Sequence, residues 1–313
     1  MEKYKVVVTA RSFGKADNQA EELLKSHNCQ VIKVDPAEIG DAIGDADAVI
    51  AGLDVYNEEL IAKAKQLKVI SRYGVGYDKV DVKAATARGV KVTITPGANG
   101  DSVADLAVAL MLDVARNVAV MDHAMKKENQ VRPSGIELWQ KTLGVVGAGR
   151  IGQGVARRCK GFDMNILCFD TYEDETFKKE CNASYVDFEQ LIAESDFITI
   201  HAPMTPETEN MFNADVLRKM KNSAVIVNTA RGGIIDEDAL YEALKSGEIY
   251  GAALDATVKE PPYGSPLLTL DNCIITPHAG AATKEASSKM SLMAAQNVIE
   301  VLEQGDCKFA VKA

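Results

Sequence analysis

Three polar residues stand just past apolar runs of the kind that form buried strands, and together they could move a proton and hold an anion. Arg231 follows residues 225–228 in NTARGG, Glu260 lies beyond residues 251–254 in DATVKEPP, and His278 follows residues 274–276 in TPHAG. Histidine titrates near neutrality and can both give and take a proton. A carboxylate beside it fixes the imidazole tautomer, the task open to Glu260. An arginine fork can hold a carboxylate and polarise a carbonyl oxygen, the task open to Arg231. His201, ending the run ITIHAP, is a rival base. Plainer readings stand beside these: Arg231 as a helix-cap residue, Glu260 as a solvated charge before two prolines, His278 as a satisfied loop histidine. His27 and His123 fall on expected polar helix surfaces and read as structural.

For such groups to act on one molecule, something must bring them to a common edge. The stretch 142–170, TLGVVGAGRIGQGVARRCKGFDMNILCFD, supplies that frame. An apolar strand-like run is followed by Gly147, Gly149 and Gly152 in G-x-G-x-x-G spacing, then a helical pattern, then a second apolar run ending on Asp170. Gly147 permits a tight turn, and Gly149 lacks the Cβ that would keep a pyrophosphate from the backbone. Gly152 lets helix and strand pack closely, and the helix start attracts phosphate charge. Asp170 lies 18 positions after Gly152, near the roughly 20 expected of an acid that accepts hydrogen bonds from a ribose diol. A carboxylate there repels a 2′-phosphate and Thr171 brings no positive charge, so NAD is expected rather than NADP.

The rest of the chain alternates short β-branched or apolar runs with helix-period segments, the signature of parallel sheets covered by helices. Strands are expected at 5–9, 30–34, 48–51, 68–71 and 91–94, and after Asp170 at 197–200, 224–228, 251–254 and 273–276. Residues 99–128 read as one long helix, 126–140 as a polar loop whose Trp139 is either core or dimer contact, and 283–303 as a long final helix. Carboxyl ends of parallel strands share one edge, so Arg231, Glu260 and His278 can converge although 18 to 47 positions apart. The loop 72–76, RYGVG, also follows an expected strand, and its two glycines could turn backbone N–H groups towards a small anion. The expected architecture is α/β: two doubly wound parallel-sheet domains with a cleft between them. A Rossmann-type NAD domain (99–284) is inserted in a flavodoxin-like substrate domain (1–98 with 285–313).

Composition narrows the function classes. The chain has 313 residues, 47% hydrophobic and 26% charged, with a net charge of −10. Lys and Arg never gather into a basic stripe, which argues against a nucleic-acid partner. No window of 18 apolar residues exists to span a membrane, and no signal-peptide pattern opens the chain. Six scattered cysteines without C-x-x-C suit a reducing cytoplasm, and no cluster has metal-site spacing, so no metal is expected.

Over nearly its whole length the chain resembles the D-isomer-specific 2-hydroxyacid dehydrogenases, on LGVVGAGRIG with Asp170, NTARGGIIDEDAL, GAALDATVKEPP and ITPHAGAATKEA. The resemblance implies that Arg231 binds substrate, that Glu260 pairs with His278, and that His278 is the acid/base, which demotes His201. It implies cofactor contacts from Val75, Arg150, Ile151, Ala202, Thr229, Ala230, Asp255 and Gly280, beside the three glycines and Asp170. Arg72, Tyr73, Gly74, Val75 and Gly76 would contact substrate. RYGVGYDKVD and PHAGAATKEA look most like D-3-phosphoglycerate dehydrogenases, although the chain ends at Ala313 without the regulatory domain many of those carry. Asp105 stands where Glu is common, and Thr257 where Phe is frequent. Related formate dehydrogenases have glutamine in place of Glu260, against formate as substrate.

The function so implied is NAD-dependent hydride exchange with a small D-2-hydroxy acid or 2-keto acid, either 3-phosphoglycerate or a hydroxypyruvate/glyoxylate-like compound, in a cytoplasmic homodimer. Arg72 or Arg132 could serve a substrate phosphate. The alternative is an NAD(H)-sensing, corepressor-like protein; the intact Arg–Glu–His set favours the enzyme.

Overall fold

The computed structural model describes residues 3–312. The chain divides into two compact units, Met1–Asn99 with Ala281–Ala313, and Gly100–Gly280.

The first unit holds strands β1 (Tyr4–Val8), β2 (Cys29–Lys33), β3 (Ala48–Ala51), β4 (Val69–Arg72) and β5 (Lys91–Thr93). They form one parallel sheet in the order β2-β1-β3-β4-β5, the flavodoxin-like winding. Between them run α1 (Gln19–Ser26), α2 (Ile39–Ala42), α3 (Glu58–Lys63) and α4 (Val82–Ala87). Both faces are covered, which is why the central strands β3 and β4 are buried along their whole length. Val6, Val8, Ile50 and Val69 face one cluster, and Val7, Val49 and Ile70 face another with Ile43 and Ile61.

The second unit opens with α5 (Gly100–Arg116) and α6 (Val118–Lys126). This corrects the single helix expected over 99–128. Asn117 takes a left-handed conformation, φ 53°, which asparagine tolerates better than most residues, and its side chain donates to the Tyr250 hydroxyl at 3.1 Å. Then follow β6 (Thr142–Val146), α7 (Arg150–Cys159), β7 (Asn165–Phe169), α8 (Glu175–Cys181), β8 (Ala183–Tyr185), α9 (Phe188–Glu194) and β9 (Phe197–Ile200). The unit closes with α10 (Ala214–Leu217), β10 (Val225–Asn228), α11 (Glu237–Ser246), β11 (Gly251–Leu254) and β12 (Cys273–Ile275). The α10 helix stops at Leu217 because the chain beyond it tightens into i→i+3 bonds, Lys219 N–H to Val216 O and Met220 N–H to Leu217 O. All seven strands are parallel, in the order β12-β11-β10-β9-β6-β7-β8. The winding reverses between β6 and β9, and in such sheets ligands bind beyond the strand ends at that reversal. Trp139 is 51% exposed and outside the core.

The final helix, α12 (Lys284–Gln304), belongs to the first unit. Thr283 caps its start by accepting from the Ala286 N–H, and Gly305 ends it in the left-handed region. Its Ala294, Ala295 and Val298 are buried against the β1–β3–β4 face. Among the described residues no helix is long and apolar enough to cross a membrane.

Candidate active site

In the second unit the β6–α7 turn is shaped by what a side chain would strike. A Cβ on Gly147, which has φ 89°, would stand 2.6 Å from the Ala202 nitrogen. One on Gly152 would meet the Gly147 carbonyl oxygen at 2.2 Å and Val145 at 2.8 Å. Gly149 faces open space, with nothing within 4 Å of its Cβ position. The first two glycines let β9, β6 and α7 close on each other; the third leaves backbone uncovered where a bulky anion could approach. Asp170, at the end of β7, accepts from the Ala148 N–H at 2.7 Å through Oδ2 and from the Tyr172 N–H at 3.1 Å through Oδ1. The acid and the glycine turn are therefore in direct contact. Arg150 is exposed at the first position of α7, and Ile151 follows half-buried. An N-terminal helix end, an uncovered glycine turn and a carboxylate at the neighbouring strand tip fit a dinucleotide.

Farther along this edge, β10 ends in a turn that displays Arg231. The Asn228 side chain, almost fully buried, accepts from the Ala230 N–H at 2.9 Å and donates to the Arg231 carbonyl at 2.7 Å. The Arg231 Nη1 donates to the Ala230 carbonyl at 2.7 Å. The next residue, Gly232, allows a close approach: its Cβ would lie 2.1 Å from the Thr257 carbonyl carbon. The Arg231 turn and the loop leading to Glu260 are thus pressed backbone to backbone. That loop is held further by the Val258 N–H donating to Glu237 at 2.7 Å. Burial raises the Glu237 carboxyl above its usual range.

His278 follows β12 and adopts φ 52°, an uncommon conformation for a residue with a side chain. Asp255, at the tip of β11 and 3% exposed, holds the residues on either side. Its Oδ1 accepts from the Thr276 hydroxyl at 2.6 Å and the Ala279 N–H at 2.7 Å, and its Oδ2 from the Gly280 N–H at 2.8 Å. Thus clamped, His278 presents Nδ1 to Glu260 Oε1 at 2.8 Å. Because a carboxylate can only accept, the proton sits on Nδ1 and Nε2 is the nitrogen left to face a reactant. The two side chains are 28% and 25% exposed, reachable yet partly screened.

The rival imidazole has other work. His201 lies between the Thr199 and Thr229 hydroxyls, with Nε2 at 2.8 Å from the first and Nδ1 at 3.4 Å from the second. Burial pushes its pKa down to about 3, so it stays neutral near pH 7 and is a poor proton carrier. Ala202, Thr229 and Ala230 stand at the ends of β9 and β10, on the edge that carries the glycine turn.

In the first unit the loop after β4 differs in part from its expected form. Arg72 is 9% exposed, and its Nη1 donates to the Tyr73 carbonyl at 2.6 Å and the Ala51 carbonyl at 3.3 Å. The Tyr73 hydroxyl is engaged by the Ser287 carbonyl at 3.0 Å and the Ser287 hydroxyl at 3.1 Å, both on α12. The Gly74 N–H is taken by the Thr95 hydroxyl at 2.9 Å. Within residues 72–76, the Val75 and Gly76 main-chain amides have no acceptor among the described residues.

Comparison with known proteins bears on the same edge. A family model described as D-isomer specific 2-hydroxyacid dehydrogenase, NAD binding domain, matches residues 108–280. The chain belongs to that family. It is an NAD-dependent 2-hydroxy acid dehydrogenase. It is 43% identical over 265 residues to a glyoxylate reductase of Korarchaeum cryptofilum, covering 82% of this chain and 80% of that one. It is 46% identical over 270 residues to a D-3-phosphoglycerate dehydrogenase of Methanocaldococcus jannaschii, covering 85% of this chain and 51% of that one. The chain thus spans about half the length of the phosphoglycerate dehydrogenase it matches. Among solved structures, an NAD-dependent formate dehydrogenase from Staphylococcus aureus in complex with NAD superposes with a TM-score of 0.86 at 31% identity, over 99% of each chain.

Two features of the dehydrogenase edge escaped sequence reasoning. Asn228 is readable in hindsight as an Asx residue at a strand end, where its side chain can bond the backbone two residues on. The clamp by Asp255 depends on β11 and β12 being neighbours, which composition does not reveal.

Proposed function

We propose that this dehydrogenase interconverts small 2-keto acids and D-2-hydroxy acids, with His278 as acid/base, Glu260 as its partner and Arg231 as the substrate's anchor. The observation that carries the reading is the 2.8 Å contact between His278 Nδ1 and Glu260 on a clamped turn. A bound nicotinamide would supply the hydride chemistry at the substrate's C2. In reduction, His278 Nε2 gives the proton that converts the carbonyl oxygen to hydroxyl; in oxidation it takes that proton back. Glu260 holds the ring orientation through both, and Arg231 supplies a fixed guanidinium to the substrate carboxylate and the oxygen that changes charge.

The dinucleotide would be held by Gly147, Gly149, Arg150, Ile151, Gly152 and Asp170, with Val75, Ala202, Thr229, Ala230, Asp255 and Gly280 nearby. The Val75 and Gly76 amides would receive the substrate carboxylate, with Arg72, Tyr73 and Gly74 shaping their loop. We also infer a cytoplasmic homodimer without nucleic-acid partners. The net charge of −10, six free cysteines and the exposed apolar Val118, Met125 and Trp139 support that reading. The test is NADH oxidation with glyoxylate, pyruvate, hydroxypyruvate and 3-phosphohydroxypyruvate. Turnover of at least one is expected; tight NADH binding with no turnover would favour a sensing protein instead.

A further inference from the structure

The segment that displays Arg231 goes on to grip the loop that carries Glu260, and it does so at two points. The first is the approach of Gly232 to Thr257, where no side chain would fit. The second lies farther along, at Glu237, whose Oε1 accepts from the Val258 N–H at 2.7 Å. Glu237 is half-buried and opens α11. The start of that helix is fixed by the Asp236 side chain, which accepts from the Asp238 and Ala239 N–H groups, both at 3.1 Å. The Asp236 N–H donates in turn to the Phe212 carbonyl at 3.1 Å, and Leu240 and Leu244 anchor the helix in the core. The carboxylate therefore reaches out from a rigid base, at a helix start that favours negative charge.

Burial ends early in the gripped loop. Ala256 and Thr257 are buried, but from Val258 to Glu260 the chain is exposed, and the Val258 residue is 67% open to solvent. Two further hydrogen bonds stay within the loop: the Thr257 hydroxyl donates to the Lys259 carbonyl at 2.9 Å, and Lys259 Nζ to the Tyr263 carbonyl at 3.4 Å. They shape the loop without tying it to a neighbouring element. Packing thus locates the chain as far as Thr257. The Glu237 bond carries that placement on to Val258, just ahead of the carboxylate that meets His278 Nδ1 at 2.8 Å.

We propose that Glu237 is a positioning residue of the reaction: by holding the Val258 N–H it sets where the Glu260 carboxylate meets the His278 ring. The inference rests on the reading that Glu260 partners His278. Without the bond, the loop can shift from Val258 onward. The imidazole then loses the acceptor that keeps its proton on Nδ1 and turns Nε2 to the reactant. A misplacement of about 1 Å in a catalytic group can cost a factor of about 100 in rate. The glycine turn and Asp170 lie on other loops, so binding of the dinucleotide is spared.

The test is a double-mutant cycle on NADH oxidation. It uses whichever of glyoxylate, pyruvate, hydroxypyruvate and 3-phosphohydroxypyruvate the wild type reduces fastest. The variants are Glu237→Ala, Glu260→Ala and the two combined, with the Kd for NADH measured for each. Glu237→Ala should lower kcat about 5- to 50-fold with that Kd little changed. In the Glu260→Ala background the same substitution should cost less than about twofold, since no carboxylate remains to be placed. Glu237→Gln keeps an oxygen acceptor for the Val258 N–H and should restore most of the rate. An unchanged kcat in Glu237→Ala, an equal loss in both backgrounds, weakened NADH binding, or a Glu237→Gln variant as slow as Glu237→Ala would each overturn the inference while leaving the dehydrogenase chemistry standing. Full activity in Glu260→Ala, or no turnover of any of the four acids by the wild type, overturns the reading beneath it and this one with it.

Discussion

Asp255→Asn separates two roles for one carboxylate: a clamp on the His278 turn, or a direct contact to the dinucleotide. The carboxylate accepts three bonds at 2.6, 2.7 and 2.8 Å while only 3% exposed. Asparagine is nearly isosteric. Its single oxygen can still serve the Thr276 hydroxyl and the Ala279 N–H, but its NH2 would then oppose the Gly280 N–H. One charge-assisted bond is lost and two donors face each other, a cost of about 1.5–3 kcal/mol. Holding a non-glycine residue in the left-handed region costs roughly 1–2 kcal/mol, so the lost bond is comparable to what keeps His278 at φ 52°. Turnover should fall at least about tenfold as the imidazole leaves its pose. The protein has one tryptophan, Trp139, and it lies in the second unit, so urea unfolding followed by its fluorescence reads the unit that holds the clamp. Lower kcat with a midpoint shifted towards less urea is the expected pair of results. A raised KM for NADH with unchanged unfolding would make Asp255 a cofactor contact instead, and unchanged kcat, KM for NADH and unfolding together would refute both.

Two further substitutions test neighbouring claims. Asp170→Ala should weaken the preference for NADH over NADPH, read as the ratio of kcat/KM values; an unchanged ratio would mean the ribose acid is misplaced. His201 is neutral when folded because burial pushes its pKa to about 3, against an ordinary value near 6.5. Between those values the unfolded chain binds the extra proton, so its contribution to stability is lost as pH falls from about 6.5 towards 3, at about 1.4 kcal/mol per pH unit. His201→Gln should therefore flatten the loss of stability between about pH 6 and 4 by that slope while keeping turnover within about tenfold. Equal slopes would show that His201 is not held neutral.

How far the sequence led can be judged from particular residues. The strands are readable because both faces of each sheet are covered, burying β3, β9, β10 and β11 along their whole length and making them predominantly apolar. Once strands are parallel, whatever follows them shares an edge, so the contact of Glu260 with His278 and of Asp170 with the glycine turn follows from chain order. Less was readable where a side chain's partner is distant in sequence. Arg72 looks like an exposed anion ligand in RYGVG, yet its guanidinium is bonded to the carbonyls of Ala51 and Tyr73. Two glycines suggested a nest of amides, but the one at Gly74 is spent on Thr95, 21 residues away. The short α8 and β8 passed unnoticed because Ala183–Tyr185 buries only one residue fully, too few to mark a period. Asn117 breaks the α5–α6 run by a backbone conformation that hydrophobic spacing does not record.

The proton route through His278 is most directly tested by single-turnover reduction of hydroxypyruvate by prebound NADH, comparing the wild type with His278→Ala. A rate lowered about 10²–10⁴-fold, with the dissociation constant for NADH little changed, is the outcome expected of a lost general acid. A loss of less than about tenfold, at any pH where the protein is folded, would mean that the proton comes from another group.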